Sequence, residues 1–245
     1  KIMYSRCFSF LLILLSVFNL DFCFTAGRPS VISSLSKNYH WLRIRSGATM
    51  DGNNLPTEDY VVDKFRKFVQ IRSISGEGPA GSYKESVDFL VEYIKEIGIA
   101  EEDIQVVEVA PNKPVVIATW KGTDASLPAL LLNSHYDVVP VMPEMWSCDP
   151  FSAEVREGRI YGRGTQDMKC VCMQYLEALR RMKAEGFQPL RTIHLSFVPD
   201  EEIGGTEGMG LLLETDQWKA LHPIALALDE GLANPGNAFT VFYGE

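Results

Sequence analysis

The sequence predicts an α/β fold in which a largely parallel, twisted sheet is covered by helices on both faces. Apolar runs typical of strands alternate along the chain with amphipathic helical patterns, as they do in α/β domains. The length of 245 residues, with 46% hydrophobic side chains, is sufficient for a large buried core. In such a sheet, functional groups are expected at the carboxyl ends of the strands.

The helices are predicted from the spacing of apolar residues and from the residues at their ends. Phe65 and Phe68 lie on one helical stripe after Thr57, a favourable N-terminal cap, and Gly98 and Gly186 end two later helices. The predicted helices span 58–71, 83–97, 168–185 and a short stretch near 208–214. The predicted strands span 104–109, 115–120, 129–133, 191–198, 224–228 and 239–243.

Residues 1–49 are predicted to form a leader outside the fold. The first fifty residues carry six Lys or Arg against one acid, Asp21, and the apolar run 8–18 has the length of a signal-peptide core. One interpretation is a secretory signal with a short pro-segment. The other is a leader ahead of a true start at Met50, which the change in composition at that residue favours.

Residues 51–245 carry a net charge of −14, because the whole chain carries −9 and the first fifty residues carry +5. An acidic body argues against a nucleic-acid partner and suits a protein that holds cations. No membrane partner is expected. The odd number of cysteines, five, does not form a disulfide framework and fits a reducing compartment.

Acidic or histidine residues end three predicted strands and precede one predicted helix. Alone, each has an ordinary interpretation: a core histidine, a helix-capping aspartate or a solvated loop. Together they predict a carboxylate-rich metal site, because adjacent acids directly after apolar strands favour a neutralising cation. One imidazole with several carboxylates suits paired Zn²⁺, and Co²⁺ or Mn²⁺ would also suit it. The motifs are His135-Tyr136-Asp137, Asp167, Pro199-Asp200-Glu201-Glu202 and Asp229-Glu230.

The segments NSHYDVVPV, GRGTQDMK, FVPDEEIGG and ALDEG together resemble the M20 family of zinc-dependent amidohydrolases, over about residues 58–245. The resemblance implies that Glu201 is the general base, that Asp137 orients the histidine ligand and that Asp167 bridges two ions. The implied metal ligands are His135, Asp167, Glu202 and Glu230. His135 and Glu230 are expected on one ion and Glu202 on the other.

The resemblance also implies the reaction and its setting. The expected reaction is hydrolysis of N-acyl-L-amino acids, small-molecule substrates, to a carboxylate and a free L-amino acid by a water that bridges two Zn²⁺. A homodimer is expected for the full-length family member. A cytoplasmic location is expected, or secretion if residues 8–18 are a true signal peptide.

The sequence departs from the family pattern in its C-terminal part. The family takes a further histidine ligand from that part and inserts a lid and dimerisation domain, whereas this sequence stops at Glu245. His194 falls inside a predicted strand and His222 in a loop, and we interpret both as structural. Residues 50–245 are therefore expected to be the N-terminal portion of the catalytic domain, truncated and inactive alone.

Two alternatives stay open at this point. A dipeptidase or a deacylase of the same family would share the metal motifs, because specificity is expected to lie in the part that this sequence lacks. A non-catalytic short isoform, or an incomplete gene prediction, would also share them.

Overall fold

A computed structural model describes residues 57–77 and 82–231 of the chain. The predicted boundary at residue 49 and the predicted strand 239–243 lie outside the described residues. The helices are α1 (Glu58–Gln70), α2 (Tyr83–Glu96), α3 (Lys169–Ala184) and α4 (Asp216–Lys219). The strands are β1 (Ile104–Ala110), β2 (Lys113–Trp120), β3 (Ala129–His135), β4 (Glu154–Arg156), β5 (Arg159–Tyr161), β6 (Ile193–Val198) and β7 (Ile224–Leu228).

The first helix forms for the reasons that its sequence suggests. The Thr57 hydroxyl accepts a hydrogen bond from the Tyr60 amide at 3.3 Å, which satisfies one of the free amides at the helix start. The apolar stripe then buries Phe65, Phe68 and Val69. This face packs against the sheet and against α3, whose Leu176 and Leu179 belong to the same hydrophobic cluster.

Five strands form one mixed sheet in the order β1-β2-β6-β3-β7. The strand β3 pairs in parallel with both β6 and β7, whereas β2 pairs antiparallel with β1 and β6. Four of these five described strands therefore run in one direction, and the prediction of a largely parallel sheet is confirmed. β2 runs the other way because the two-residue turn from β1 can make only an antiparallel hairpin.

Helical segments cover both faces of the sheet, as predicted. The main hydrophobic cluster joins α1, α2 and α3 to one face through residues such as Leu132 and Leu195. On the other face, Leu212 and Leu221 pack against Val115 and Ile117. These two leucines flank α4 and follow a short π-helical turn, Thr206–Gly210, close to the predicted helix near 208–214.

A separate two-stranded hairpin of β4 and β5 was not predicted. Glu157 and Gly158 form its turn, and both have left-handed backbone angles, with φ of 51° and 73°. A glycine as the second residue of a two-residue turn, with alternating hydrophobic residues on both sides, is typical of such a hairpin. Gly158 occupies that position, and Val155 and Ile160 lie one residue beyond Arg156 and Arg159, which flank the turn.

Within residues 57–77 and 82–231, no helix is long and apolar enough to cross a lipid bilayer.

Candidate metal centre

Three neighbouring parallel strands end at the same edge of the sheet and bring the predicted site residues together. His135 is the last residue of β3, Glu201 and Glu202 follow β6, and Glu230 follows β7. Asp167 reaches the same edge from the loop that precedes α3. The arrangement follows directly from the strand order, because β3 lies between β6 and β7.

The His135 imidazole is the centre of the cluster. Its Nε2 lies 3.2 Å from Asp167 Oδ1, 3.5 Å from Glu201 Oε2 and 3.7 Å from Glu230 Oε1. Two sets of side chains each bring three possible ligand atoms within 4.8 Å of one another, and both sets contain His135: one with Glu201 and Glu230, the other with Asp167 and Glu202. Distance alone therefore does not separate Glu201 from the expected ligands.

Asp137 fixes the orientation of the His135 ring. The ring Nδ1 lies 3.0 Å from the Asp137 backbone carbonyl and 3.3 Å from its Oδ1, and only 1% of the His135 side chain is exposed. A proton on Nδ1 can be donated to these oxygens, which leaves the Nε2 lone pair directed at the acidic cluster. Metal-binding histidines commonly have a hydrogen-bond partner of this kind at the second nitrogen.

The Asp137 carboxylate also holds the turn after β6. The backbone amides of Glu201 and Glu202 donate to its two oxygens, each at 3.2 Å, and the Ser75 hydroxyl donates at 2.7 Å. Asp137 is fully buried, so each of these hydrogen bonds satisfies a charge that water does not reach. One side chain therefore links the histidine to the turn that carries two of the acids.

The loop that carries Asp167 packs closely against its surroundings. A Cβ atom on Gly164 would lie 2.8 Å from Val138 Cγ1, and φ at Gly164 is 85°, so a side chain is excluded there. The fully buried Lys169 ammonium donates to the backbone carbonyls of Phe68 and Ile71 at 3.0 and 2.6 Å. These contacts join the loop to the C-terminal end of α1. The α3 helix begins at Lys169, and Met168 occupies its N-cap position, which the sequence suggested for Asp167.

Asp200 differs from its two acidic neighbours. The sequence interpretation assigned a cation to all three consecutive acids, but Asp200 is 1% exposed and forms an ion pair with Lys113. Its other oxygen accepts a hydrogen bond from the Tyr83 hydroxyl at 2.5 Å. Sequence reasoning missed Lys113 and Tyr83, because they lie 87 and 117 residues from their partner in the chain.

Asp229, directly before Glu230, is held by a neutral partner. The Asn133 amide donates to Asp229 Oδ2 at 2.7 Å, and the buried Ser196 hydroxyl donates to the Asn133 carbonyl oxygen at 2.5 Å. The Glu230 amide donates to the other Asp229 oxygen at 2.9 Å. This chain of hydrogen bonds crosses β6, β3 and the end of β7.

The electrostatics of the cluster fit a divalent cation. Within residues 57–77 and 82–231, the ion-pair partner of Asp167, Glu201 and Glu230 is His135, and no lysine or arginine pairs with them. Burial, and then the Asp167 charge, raise the pKa of Glu230 to about 7. The same two causes raise the pKa of Glu202. A cation among these oxygens would relieve this repulsion, and imidazole with carboxylates is a suitable donor set for Zn²⁺.

The other two histidines that the structure describes lie in different surroundings. His194 is buried in β6, where its Nδ1 lies 2.9 Å from the Thr119 hydroxyl, and burial lowers its pKa. His222 packs edge to face against Trp218.

Known proteins with similar sequences and folds belong to a family of peptidases. Residues 131–240 match the sequence model of Peptidase family M20/M25/M40. The fold is similar to that of an M20 family metallo-carboxypeptidase from Sulfolobus solfataricus, with a TM-score of 0.59 and 26% identity over 75% of this chain and 38% of that one. The fold is thus similar to that of a metallo-carboxypeptidase, and the acidic edge of the sheet carries side chains that could hold a metal ion. The chain belongs to the M20/M25/M40 peptidase family.

Its relatives include aminoacylases from distant organisms. The chain is 50% identical to Aminoacylase-1 of Homo sapiens over 192 residues, which are 78% of this chain and 45% of that protein. It is also 50% identical to Aminoacylase-1 of Dictyostelium discoideum over 190 residues, with 77% and 45% covered. The chain therefore spans less than half the length of these relatives.

Proposed function

We propose that this chain supplies the larger part of the zinc centre of an amidohydrolase that releases free L-amino acids from N-acyl-L-amino acids. The observation that carries the proposal is the meeting of His135 with Asp167, Glu201 and Glu230 at the edge of three parallel strands. The substrate class rests on the 50% identity to aminoacylases. Residues 50–245 would form the N-terminal portion of the catalytic domain, and a cytoplasmic homodimer is the corresponding expectation for the complete protein.

In this proposal, two Zn²⁺ ions are held by His135, Asp167, Glu202 and Glu230. The Asp167 charge helps to raise the pKa of both Glu202 and Glu230, so Asp167 is close to both, which suits a bridging ligand. Bound zinc would polarise the amide carbonyl and lower the pKa of a water molecule to about 7. The chain contributes fixed positions for His135 and Glu202, because β3, β6 and their shared partner Asp137 are buried.

Glu201 is proposed as the general base. Its side chain is 49% exposed, so substrate and water can reach it, and its Oε2 lies 3.5 Å from His135 Nε2 at the same edge. A carboxylate in this position can accept the proton of the attacking water and later donate it to the leaving amine. Glu202, the next residue, is more buried and is proposed as a ligand.

The test is hydrolysis of N-acetyl-methionine and of a dipeptide panel by the zinc-loaded protein expressed from its complete transcript. We expect the acylated amino acid to be cleaved and the Glu201→Gln variant to bind zinc but not to cleave it. Preferential cleavage of dipeptides would indicate the alternative function, a dipeptidase of the same family. Zinc-loaded protein that cleaves neither class would overturn the proposal and favour a non-catalytic role.

A further inference from the structure

A buried group of three side chains lies directly behind the turn that carries Glu201 and Glu202. We call Tyr83, Lys113 and Asp200 the anchor triad. They come from three separate elements: the first residue of α2, the first residue of β2 and the residue two positions after the end of β6. Their exposed fractions are 2%, 7% and 1%, so the ion pair and its hydrogen bond are shielded from water.

The triad uses both oxygens of the Asp200 carboxylate. One oxygen pairs with the Lys113 ammonium, and the other accepts the Tyr83 hydroxyl at 2.5 Å. The Lys113 ammonium also lies 5.3 Å from the centre of the Tyr83 ring, so the two partners contact each other as well. Two bonds to one carboxylate fix the direction of the Asp200 side chain, and buried charged pairs are costly to break.

The Asp200 backbone carries this constraint into the turn. Its φ of 63° is in the left-handed region, which is unfavourable for most residues other than glycine. Its carbonyl accepts the amide of Gly205 at 2.7 Å, and that of Ile203 at 3.3 Å, which closes the turn. The amides of Glu201 and Glu202 meanwhile donate to Asp137. The turn is therefore held by Asp137 on one side and by the anchor triad on the other.

We infer that the anchor triad is a positioning device for the metal centre: it holds the turn so that the Glu201 and Glu202 side chains reach the His135 site. Tyr83, Lys113 and Asp200 act through the turn and do not themselves bind the cation or the substrate. The inference rests on the proposed function of this edge as a divalent-metal site.

Tyr83→Phe tests the inference, because it removes one hydroxyl and leaves the ion pair in place. Tyr93→Phe is a matched control: Tyr93 lies on the same helix, is buried, and its hydroxyl bonds to another carboxylate, that of Glu177. Both variants lose a buried tyrosine–carboxylate hydrogen bond, so both should lower the melting temperature. Only Tyr83 is connected to the turn.

The readout is the visible absorption spectrum and the dissociation constant of Co²⁺ bound to the 245-residue chain. We expect Tyr83→Phe to change the Co²⁺ spectrum and to weaken Co²⁺ binding about threefold to tenfold. This is the range expected when one charge-assisted hydrogen bond is lost. Tyr93→Phe should match the wild type in both. Lys113→Gln is a second variant with the same expected direction, and circular dichroism establishes that each variant is folded.

The outcomes separate the inference from the proposed function. Folded Tyr83→Phe and Lys113→Gln variants with wild-type Co²⁺ spectra and affinities would overturn the triad's role while leaving the metal site intact. Wild-type protein that binds no Co²⁺ would overturn both. A changed Co²⁺ spectrum in these variants would support the triad even if hydrolysis of N-acyl amino acids were not found.

Discussion

The strand ends after β6 and after β7 each place an aspartate directly before a glutamate of the metal centre, yet they hold these residues differently. After β6, Asp200 is buried and pairs with the charged Lys113 and with Tyr83. After β7, Asp229 is exposed and accepts one hydrogen bond from the neutral Asn133. An acid within a predicted ligand motif can therefore belong to the scaffold, and its partner decides how firmly the neighbouring glutamate is held.

Replacing Glu201 is expected to have the largest effect on catalysis, and it tests whether Glu201 and Glu202 have different roles. In the protein expressed from its complete transcript, Glu201→Gln should reduce kcat for N-acetyl-methionine by about 10²- to 10⁴-fold with zinc content unchanged, because general-base catalysis contributes this much. Glu207→Gln, which changes an exposed acid a few residues further on, serves as the control and should have wild-type kcat. Loss of zinc in Glu201→Gln would instead make Glu201 a ligand.

The Lys113–Asp200 ion pair and the Asn133–Asp229 hydrogen bond should differ in how much they contribute to the free energy of unfolding. Lys113→Ala leaves the buried Asp200 carboxylate without its charged partner, which costs about 3–5 kcal/mol. Asn133→Ala removes a neutral hydrogen-bond partner and should cost about 1–3 kcal/mol. Urea unfolding monitored by circular dichroism measures both. Equal losses, or a larger loss for Asn133→Ala, would contradict the comparison.

Asp137 contacts the turn after β6 but not the end of β7. Its replacement should therefore directly disturb the turn that carries Glu201 and Glu202 but not Glu230. Asp137→Asn keeps the size of the side chain but weakens the bonds to His135 and to the amides of Glu201 and Glu202. We expect zinc affinity to fall about 10- to 100-fold, as for other residues that orient metal-bound histidines. Competition with a chromogenic chelator measures the zinc affinity. The control Asp88→Asn, at an exposed position, should have the wild-type zinc affinity.

The loop that carries Asp167 is also held by a buried lysine, Lys169. Burial lowers the pKa of Lys169 to about 7, whereas a lysine in the unfolded chain titrates near pH 10.4. The unfolded chain therefore binds more protons between these values, and the free energy of unfolding should rise with pH across this window. The slope contributed by Lys169 cannot exceed about 1.4 kcal/mol per pH unit.

Urea unfolding at pH 7 to 9 measures this slope. It should be smaller in Lys169→Met than in the wild type, and Lys84→Met, at an exposed position on α2, should keep the wild-type slope. A wild-type slope in Lys169→Met would show that Lys169 does not titrate in this range.

The sequence was sufficient to locate the edge of the sheet where the site lies. His135 ends a short apolar strand, Glu202 and Glu230 follow two others closely, and parallel strands place their carboxyl ends together. The three long helices also followed their apolar spacing, with each end within one residue of the prediction, whereas the predicted short helix near 208–214 is a π-helical turn at Thr206–Gly210 and α4 was not predicted.

The partners of Asp200 could not be predicted from the sequence, for a physical reason. Whether Asp200 pairs with Lys113 or contributes to a cation site depends on which elements pack around the end of β6, and no local pattern records that choice. Tyr83 is an apolar-stripe residue by its spacing, and its hydroxyl acquires a role only when α2 packs beside the β1–β2 hairpin. The β4–β5 hairpin, by contrast, had a local signal in Glu157-Gly158 and could have been predicted.

The most direct test of the central claim is anomalous diffraction at the zinc edge from crystals of the zinc-loaded protein. We expect zinc about 2.0–2.2 Å from His135 Nε2 and from carboxylate oxygens of Asp167, Glu202 and Glu230, with Glu201 outside the coordination shell. Zinc bound elsewhere, or a coordination shell that contains Glu201 in place of these acids, would contradict it.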